Sequence, residues 1–284
     1  MILLTGGTGF LGSHLLKELV REGHKVLVLI RTRSSLKRIK SIQNKISLVN
    51  IDEFKLGEIF HQNSITRIIH AATSYGRRNE SDETILNTNF NFPLELAQHG
   101  AKNEISTFYN VATSLPPKIN MYSSSKKLFQ DRLDSFEDSF KVIHLIPEYF
   151  YGSDDDDSKL ITMLIKKMKN FEPEIRLTSC LQRRDFIHID DVISGFMTLL
   201  KNESKIATLS KIPIGSGKSI RLNEIVTGIA ELIKYDKSKL LFGRLPLREN
   251  EVMTSIADIS ILQSFGWEPR IDIWEGINRL IKSQ

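Results

Sequence analysis

Two kinds of apolar pattern alternate along the first half of the chain. Residues 2–5 are an apolar run closing on Thr5, and residues 10–22 carry Leu11, Leu15, Leu16 and Leu19 at intervals of one helical turn. A strand followed by an amphipathic helix is predicted, with Gly23 as the stop. The same reading predicts strands at residues 25–30, 46–51, 67–71, 107–112 and 141–146. It predicts helices at about residues 82–99, closed by Gly100, and at residues 122–136. Nearly every strand is continuously apolar, as in a parallel sheet covered on both faces. The alternation implies an α/β fold, a doubly wound, Rossmann-like parallel sheet.

After Pro147 the rhythm breaks. Residues 153–158 are a polar loop with four consecutive aspartates, Asp154 to Asp157, and short elements follow without strict alternation. Residues 1–146 are expected to form the cofactor domain, with a segment around residues 183–202 returning to it. Residues 147–284 are expected to form mainly a smaller C-terminal substrate lobe.

Composition narrows the classes of function. A net charge of +5 over 284 residues is mild, and no dense basic stripe marks a nucleic-acid surface, so acidic small molecules are the expected partners. Cys180 is the single cysteine, which rules out an intramolecular disulfide and suits a reducing cytoplasm. The N-terminus enters a strand directly, without the features of a signal peptide, and no apolar run has the length to cross a membrane. A cytoplasmic enzyme bound to neither membrane nor nucleic acid is expected.

The turn Thr5-Gly6-Gly7-Thr8-Gly9-Phe10-Leu11-Gly12 joins the first strand to the first helix. In that context the glycines let the backbone turn tightly, approach a pyrophosphate and pack helix on sheet, while the helix start favours phosphate. A dinucleotide cofactor is expected there; the plain alternative is a tight turn without a ligand. An NAD enzyme usually places an acid after the second strand. Here Arg31, Thr32, Arg33 and Ser34 follow it, a set that can grip a 2′-phosphate with no acid beside it. NADP(H) is favoured, with NAD(H) left open. Asp52, after Ile51 at the end of the third strand, is placed to meet the adenine.

Tyr122 and Lys126 stand one helical turn apart. A neighbouring ammonium, together with an oxidised nicotinamide, is expected to lower the phenol's pKa and make Tyr122 a proton donor to a developing alkoxide. Tyr235 and Lys239 share the spacing, so spacing alone is weak. Position favours the first pair, because it follows the fifth strand on the crevice side of such a sheet. Thr113, chosen over Ser114, follows that strand with a hydroxyl for the substrate carbonyl.

These residues resemble those of the extended short-chain dehydrogenase/reductases, nucleotide-sugar epimerase/dehydratase group. The resemblance runs over nearly the whole chain: the glycine turn, Ile69-His-Ala-Ala72, Asn89, Tyr122-xxx-Lys126, Arg184-Asp-Phe-Ile-His-Ile-Asp-Asp191, Gly215-Ser-Gly217, Arg248-Glu249 and Gly266-Trp267. Tyr75-Gly-Arg77, Thr113-Ser-Leu-Pro-Pro117, Glu148-Tyr-Phe-Tyr-Gly152 and Leu177-Thr-Ser179 leading into Gln182-Arg-Arg-Asp-Phe186 resemble the CDP-paratose and CDP-abequose synthase branch. That branch reduces a CDP-linked 4-keto-6-deoxy sugar with NADPH. The resemblance implies that Gly6, Thr8, Gly9, Phe10, Leu11, Gly12, Ile51, Ala71, Ala72 and Thr73 line the cofactor. It implies that Lys126 holds the nicotinamide ribose, and that Arg184 and Arg248 hold a nucleotide diphosphate. Thr113, Ser114, Glu148, Tyr149 and Thr178 are then expected on the sugar side. A homodimer through the helix of Leu128, Phe129 and Leu133 is a further expectation of the family, the alternative being that this face is core. Ile146 replaces a common arginine, and Tyr151-Gly152 runs into aspartates instead of Pro-Gly. Both departures fall near the substrate lobe and leave the sugar open.

Other signals are set aside. Gly215-Ser-Gly-Lys-Ser219 lacks the P-loop's first glycine, because Ile212 stands there. Asp190 reads as a helix cap rather than a metal ligand, the aspartate run as solvated loop, and His70 as structural. The leading expectation is a 4-ketoreductase. A dehydratase of this group needs an Asp-Glu pair where Ser114 and Leu115 stand. An epimerase retaining NAD is the enzymatic rival, and a noncatalytic NADP sensor is the rival from another class.

Overall fold

The computed structural model describes residues 1–283. The chain forms two compact units, Met1–Pro147 with Phe196–Ile212, and Glu148–Gly195 with the chain from Pro213 on. The segment returning to the first unit is therefore Phe196–Ile212, displaced toward the C-terminus from the expected 183–202.

The first unit is built on strands β1 (Ile2–Thr5), β2 (Val26–Ile30), β3 (Ser47–Asn50), β4 (Arg67–His70), β5 (Thr107–Val111) and β6 (Lys141–Pro147), paired in the order β3-β2-β1-β4-β5-β6. All these neighbours are parallel. The strand order reverses between β1 and β4, where a doubly wound sheet opens its ligand crevice. Helices α1 (Phe10–Arg21), α2 (Leu56–Gln62), α3 (Asp82–Leu86), α4 (Phe92–Lys102) and α5 (Met121–Asp134) make the crossovers. The continuous apolar runs are explained by burial: Leu3, Leu4, Ile68, Ile69 and Phe108 are fully enclosed. Leu96, Ala97, Phe129 and Leu133 pack on Leu3, Ile68 and Phe108 from the helices.

Three expectations shift. The helix that was to close at Gly100 runs on to Lys102, because Gly100 lies where a side chain would strike Ile105 and Ile68 and so serves packing rather than termination. Between α3 and α4 a π-helical turn, Asn87–Asn91, interrupts the regular ladder. Helix α2 was not foreseen, being only seven residues long. On α5, Phe129 and Leu133 are core while Leu128 is half-exposed.

The second unit contains β7 (Tyr149–Tyr151), α6 (Leu160–Lys169), β8 (Ile175–Arg176), β9 (Arg183–Arg184) and β10 (Phe186–His188). After α7 (Ile189–Lys201) and β11 (Leu209–Ile214) it continues with β12 (Ile220–Arg221), α8 (Leu222–Ile233), β13 (Leu240–Leu241), α9 (Ser260–Ser264) and α10 (Ile273–Ser283). Strand β11 joins the large sheet beside β6, and three two-stranded pairs, β7–β10, β9–β12 and β8–β13, serve the second unit. Its core gathers Leu164, Ile165 and Met168 of α6 with Ile225, Val226 and Ile229 of α8 and Ile277 of α10.

Two readings of polar residues are corrected here. Asp190 lies inside the first turn of α7, and its amide N–H donates to the His188 ring at 3.3 Å, so it does not cap the helix from outside. The aspartate run is not simply solvated: Asp155 is buried and pairs with Lys159 at 3.0 Å.

Candidate active site

The cradle at the end of β1 follows from two close approaches. Gly6 has φ +70°, and a Cβ there would meet the Ala72 nitrogen at 2.5 Å; on Gly12 a Cβ would meet the Gly6 carbonyl at 2.1 Å. Neither position admits a side chain. The first bond of α1 runs from the Ser13 N–H to the Gly9 carbonyl at 2.9 Å. Gly9 brings no side-chain cap, and the first turn holds no acid. The amides ahead of Ser13 lie outside the helical ladder at the positive end of the helix. A dinucleotide's pyrophosphate fits this chemistry.

Beyond β2 the chain folds on itself. The Ser34 N–H donates to the Arg31 carbonyl at 2.8 Å, and the Arg31 N–H donates to the Ser34 hydroxyl at 2.9 Å. Arg31 and Arg33 thus share one turn. The expectation that no acid stands nearby is corrected. Asp52 accepts the Thr32 N–H at 2.9 Å, because β2 and β3 run in register, with Ile30 opposite Asn50. Bonds to Thr32, with the charges of Arg31 and Arg33, hold the Asp52 carboxyl below its usual pKa.

After β4, the Ala71 and Ala72 N–H groups donate to the Thr5 carbonyl and hydroxyl, each at 3.2 Å. The Thr5 hydroxyl also meets His70 Nδ1 at 2.8 Å. His70 is enclosed, and burial together with the charge of Lys126 keeps its ring neutral. Thr73 donates to Asn89 Oδ1 at 3.2 Å, while Asn89 Nδ2 donates to the Ser125 hydroxyl of α5 at 3.1 Å. The π-helical turn is what brings Asn89 there.

Helix α5 starts with a reciprocal cap. The Asn120 side chain accepts the Ser123 N–H at 2.9 Å, and the Ser123 hydroxyl accepts the Asn120 N–H at 3.2 Å. This fixes Tyr122 in the first turn and Lys126 one turn later, both buried. The chain's own groups leave the phenol shifted upward, without the oxidised nicotinamide that was expected to act together with the ammonium. Burial raises the Tyr122 pKa above 10, opposed by hydrogen bonding with Thr113 and by the charge of Arg77. Lys126, desolvated in turn, falls to about 7, so at neutrality its positive charge is only partly present. The Tyr75 ring lies against the Tyr122 ring with centroids 4.8 Å apart, a contact that motif reading did not foresee. Thr113 also accepts the Leu115 N–H at 3.2 Å, and Ser114 is half-buried beside it.

The competing pair is disposed of by its setting. Tyr235 follows the end of α8, and its hydroxyl is spent on the Glu172 carbonyl at 2.6 Å.

In the second unit, Arg184 is buried against the Tyr149 ring, with its guanidinium carbon 5.2 Å from the ring centre. Its guanidinium also donates to the Arg183 carbonyl at 2.9 Å and pairs with Glu251. Sequence reading missed Glu251; 67 residues separate it from Arg184, and no local pattern links them. Glu148, also buried, accepts the Ser255 hydroxyl at 2.7 Å. Thr178 accepts the Cys180 N–H at 3.3 Å, and Arg248 is exposed on the loop after Gly243. The residues imitating a P-loop are held by Asp185, whose carboxylate takes the Ser216 N–H at 2.7 Å and the Gly217 N–H at 3.1 Å. It also takes the Ala257 N–H at 3.1 Å. Among the described residues no helix is long and apolar enough to cross a membrane.

Known proteins place these features in a family. A CDP-abequose synthase from Salmonella muenchen is 32% identical over 99% of this chain and 96% of its own length. A dTDP-4-dehydro-6-deoxyglucose reductase from Escherichia coli is 28% identical over 99% of this chain and 96% of its own length. The UDP-glucose 4-epimerase of Thermotoga maritima, solved with UDP-glucose, shares the fold at a TM-score of 0.84 and 21% identity, over 99% of this chain and 97% of that one. Residues 2–215 match the NAD dependent epimerase/dehydratase family, and the chain belongs to it.

Proposed function

We propose that the chain reduces the 4-keto group of a nucleotide-linked 4-keto-6-deoxy sugar with NADPH. The observation that carries this reading is the placement of Tyr122, buried in the first turn of α5 and hydrogen-bonded with Thr113, which follows β5. A reduction needs an acid at the carbonyl oxygen. A dehydratase of this group needs an Asp-Glu pair where Ser114 and Leu115 stand. Two of the relatives bear names that point the same way, a CDP-abequose synthase and a dTDP-4-dehydro-6-deoxyglucose reductase.

Bound NADPH supplies the hydride to C4. Thr113 orients the carbonyl oxygen, with Ser114 beside it, and Tyr122 delivers its proton to that oxygen. Lys126 holds the nicotinamide ribose. The glycine turn from Gly6 to Gly12, with Ala71, Ala72 and Thr73, seats the cofactor. Arg31, Arg33 and Ser34 take its 2′-phosphate, and Ile51 and Asp52 border the adenine. In the second unit Arg184 and Arg248 take the substrate's diphosphate, for which bidentate guanidinium pairing is suited, and Glu148, Tyr149 and Thr178 serve the sugar side.

The test offers NADPH with CDP-, dTDP-, GDP- and UDP-4-keto-6-deoxyhexoses. One NADPH oxidised per C4 alcohol formed is expected, fastest with the CDP sugar. Tyr122→Phe should lower turnover by at least about a hundredfold with cofactor affinity unchanged. Epimerised product without net NADPH consumption, with NAD retained through purification, would overturn the reading.

A further inference from the structure

The segment between β4 and α3 places an arginine, a tyrosine and the catalytic phenol in one stack. The Tyr75 and Tyr122 rings lie 4.8 Å apart at 41°, and the Arg77 guanidinium carbon lies 5.0 Å from the centre of the Tyr75 ring. Gly76, with φ +70°, turns the chain so that Arg77 folds back over its neighbour, and a Cβ at Gly76 would strike Ile85 at 2.8 Å. The Tyr75-Gly-Arg77 stretch therefore has a stereochemical reason.

Several bonds hold this segment in place. Asn89 binds both the N–H and the carbonyl of Ser74 and reaches Ser125 on α5. Ser125 in turn donates to the Tyr122 carbonyl at 3.0 Å. On the far side, Glu80 accepts the Ser74 hydroxyl at 3.3 Å and the Arg78 N–H at 2.7 Å. Asn89 thus links the segment that carries Tyr75, through Ser125, to the turn that carries Tyr122. Arg77, by contrast, is exposed on its outer side. Its cation spans the Tyr75 ring, an arrangement favoured by the ring's negative face.

We propose that Tyr75 and Arg77 are positioning residues for proton transfer, with the Tyr75 ring holding the Tyr122 phenol in place and presenting to it the positive charge of Arg77. The proposal rests on the reading of Tyr122 as proton donor. Burial opposes ionisation of that phenol, while the Thr113 hydroxyl and the Arg77 charge favour it. Lys126, one turn along α5, has a pKa of about 7, so at neutrality its charge is only partly present. Arg77 then supplies the persistent cation, since a guanidinium stays charged over the working range. As negative charge gathers on the phenol oxygen during transfer, that cation stabilises it.

The test measures the phenol itself, so it does not depend on turnover. Tyr122→3-fluorotyrosine lowers the phenol pKa into a range the fold withstands, and fluorine NMR reads its titration in the full-length protein. Arg77→Gln is expected to raise the midpoint by about half a pH unit, the size of a partly screened charge interaction across one ring. Arg77→Lys should restore most of the shift. Tyr75→Leu should raise the midpoint too, whereas Tyr75→Phe, which keeps the ring, should leave it near the parent value. Combining Arg77→Gln with Tyr75→Leu should add little to either change. In natural-tyrosine enzyme, Arg77→Gln should lower kcat more than it alters KM for NADPH. A midpoint unmoved by Arg77→Gln would overturn the proposal, as would equal shifts from Tyr75→Phe and Tyr75→Leu. If the midpoint shifts as expected while Tyr122→Phe retains turnover, the stack stands and the assignment of Tyr122 as donor fails.

Discussion

Asn89 pairs with Ser74 as two complementary amides pair, accepting the Ser74 N–H at 2.8 Å and donating to its carbonyl at 2.9 Å. Both residues are buried, so neither half of the pair can be exchanged for water. The link ties the segment after β4 to α5 through Ser125.

Asn89→Ala should leave a buried N–H and a buried carbonyl without partners. A loss of about 2–6 kcal/mol is expected, at roughly 1–3 kcal/mol for each of the two orphaned groups. Urea unfolding measures it, and turnover should fall in the folded variant because Tyr75 and Tyr122 lose their common tether. Unchanged stability would mean that the Ser74 peptide finds other partners.

Lys126 predicts a pH dependence of stability. Its pKa is lowered in the fold to about 7 from 10.5. Between those values the unfolded chain carries a proton that the folded chain has shed, so its contribution to stability rises with pH, by up to about 1.4 kcal/mol per unit. Below pH 7 both states hold the proton and the slope vanishes. Melting of the cofactor-free protein from pH 7 to pH 10 should show this rise, and Lys126→Met should lack it. Parallel curves for the two proteins would refute the lowered pKa.

The Arg31–Ser34 turn predicts cofactor choice. Replacing Arg31 and Arg33 with glutamine should weaken NADPH binding by about tenfold per arginine, from the loss of charge-assisted bonds to phosphate. NADH should be little affected. Asp52→Asn keeps an acceptor for Thr32 but removes the opposing charge, so NADPH should bind more tightly. Equal losses for both cofactors would show that the turn does not recognise the 2′-phosphate.

Arg184 and Glu251 predict a trade between stability and affinity. Glu251→Gln retains a hydrogen-bond acceptor without the charge. The melting temperature should fall, because a buried guanidinium loses its counter-ion, while KM for the nucleotide sugar falls as the arginine becomes freer to meet diphosphate. A raised KM would mean that Glu251 itself holds substrate.

Much of the first unit was legible because its signals are local. Continuous apolar runs mark strands buried on both faces, and Gly6 and Gly12 mark a turn whose context is a strand and a helix on either side. The Tyr122–Lys126 pair could be separated from Tyr235–Lys239 by its place after β5. What escaped were relations between distant segments. Asp52 reaches Thr32 through strand register, Glu251 reaches Arg184 across 67 positions, and Asn89 arrives through a π-helical turn that no apolar period reports. The sign of the Tyr122 shift escaped for another reason. Spacing shows which charges are neighbours, but only burial decides whether the lysine keeps its charge.

The contact of Gly12 with the Gly6 carbonyl has a consequence for how a ligand is received. The helix start is pressed on the strand end with no room for a side chain, so chain packing holds the turn in this shape. The donors facing a pyrophosphate are therefore preorganised, and the entropy of arranging them is lost during folding, not during association. Backbone positions from Thr5 to Ser13 should superimpose in empty and loaded protein.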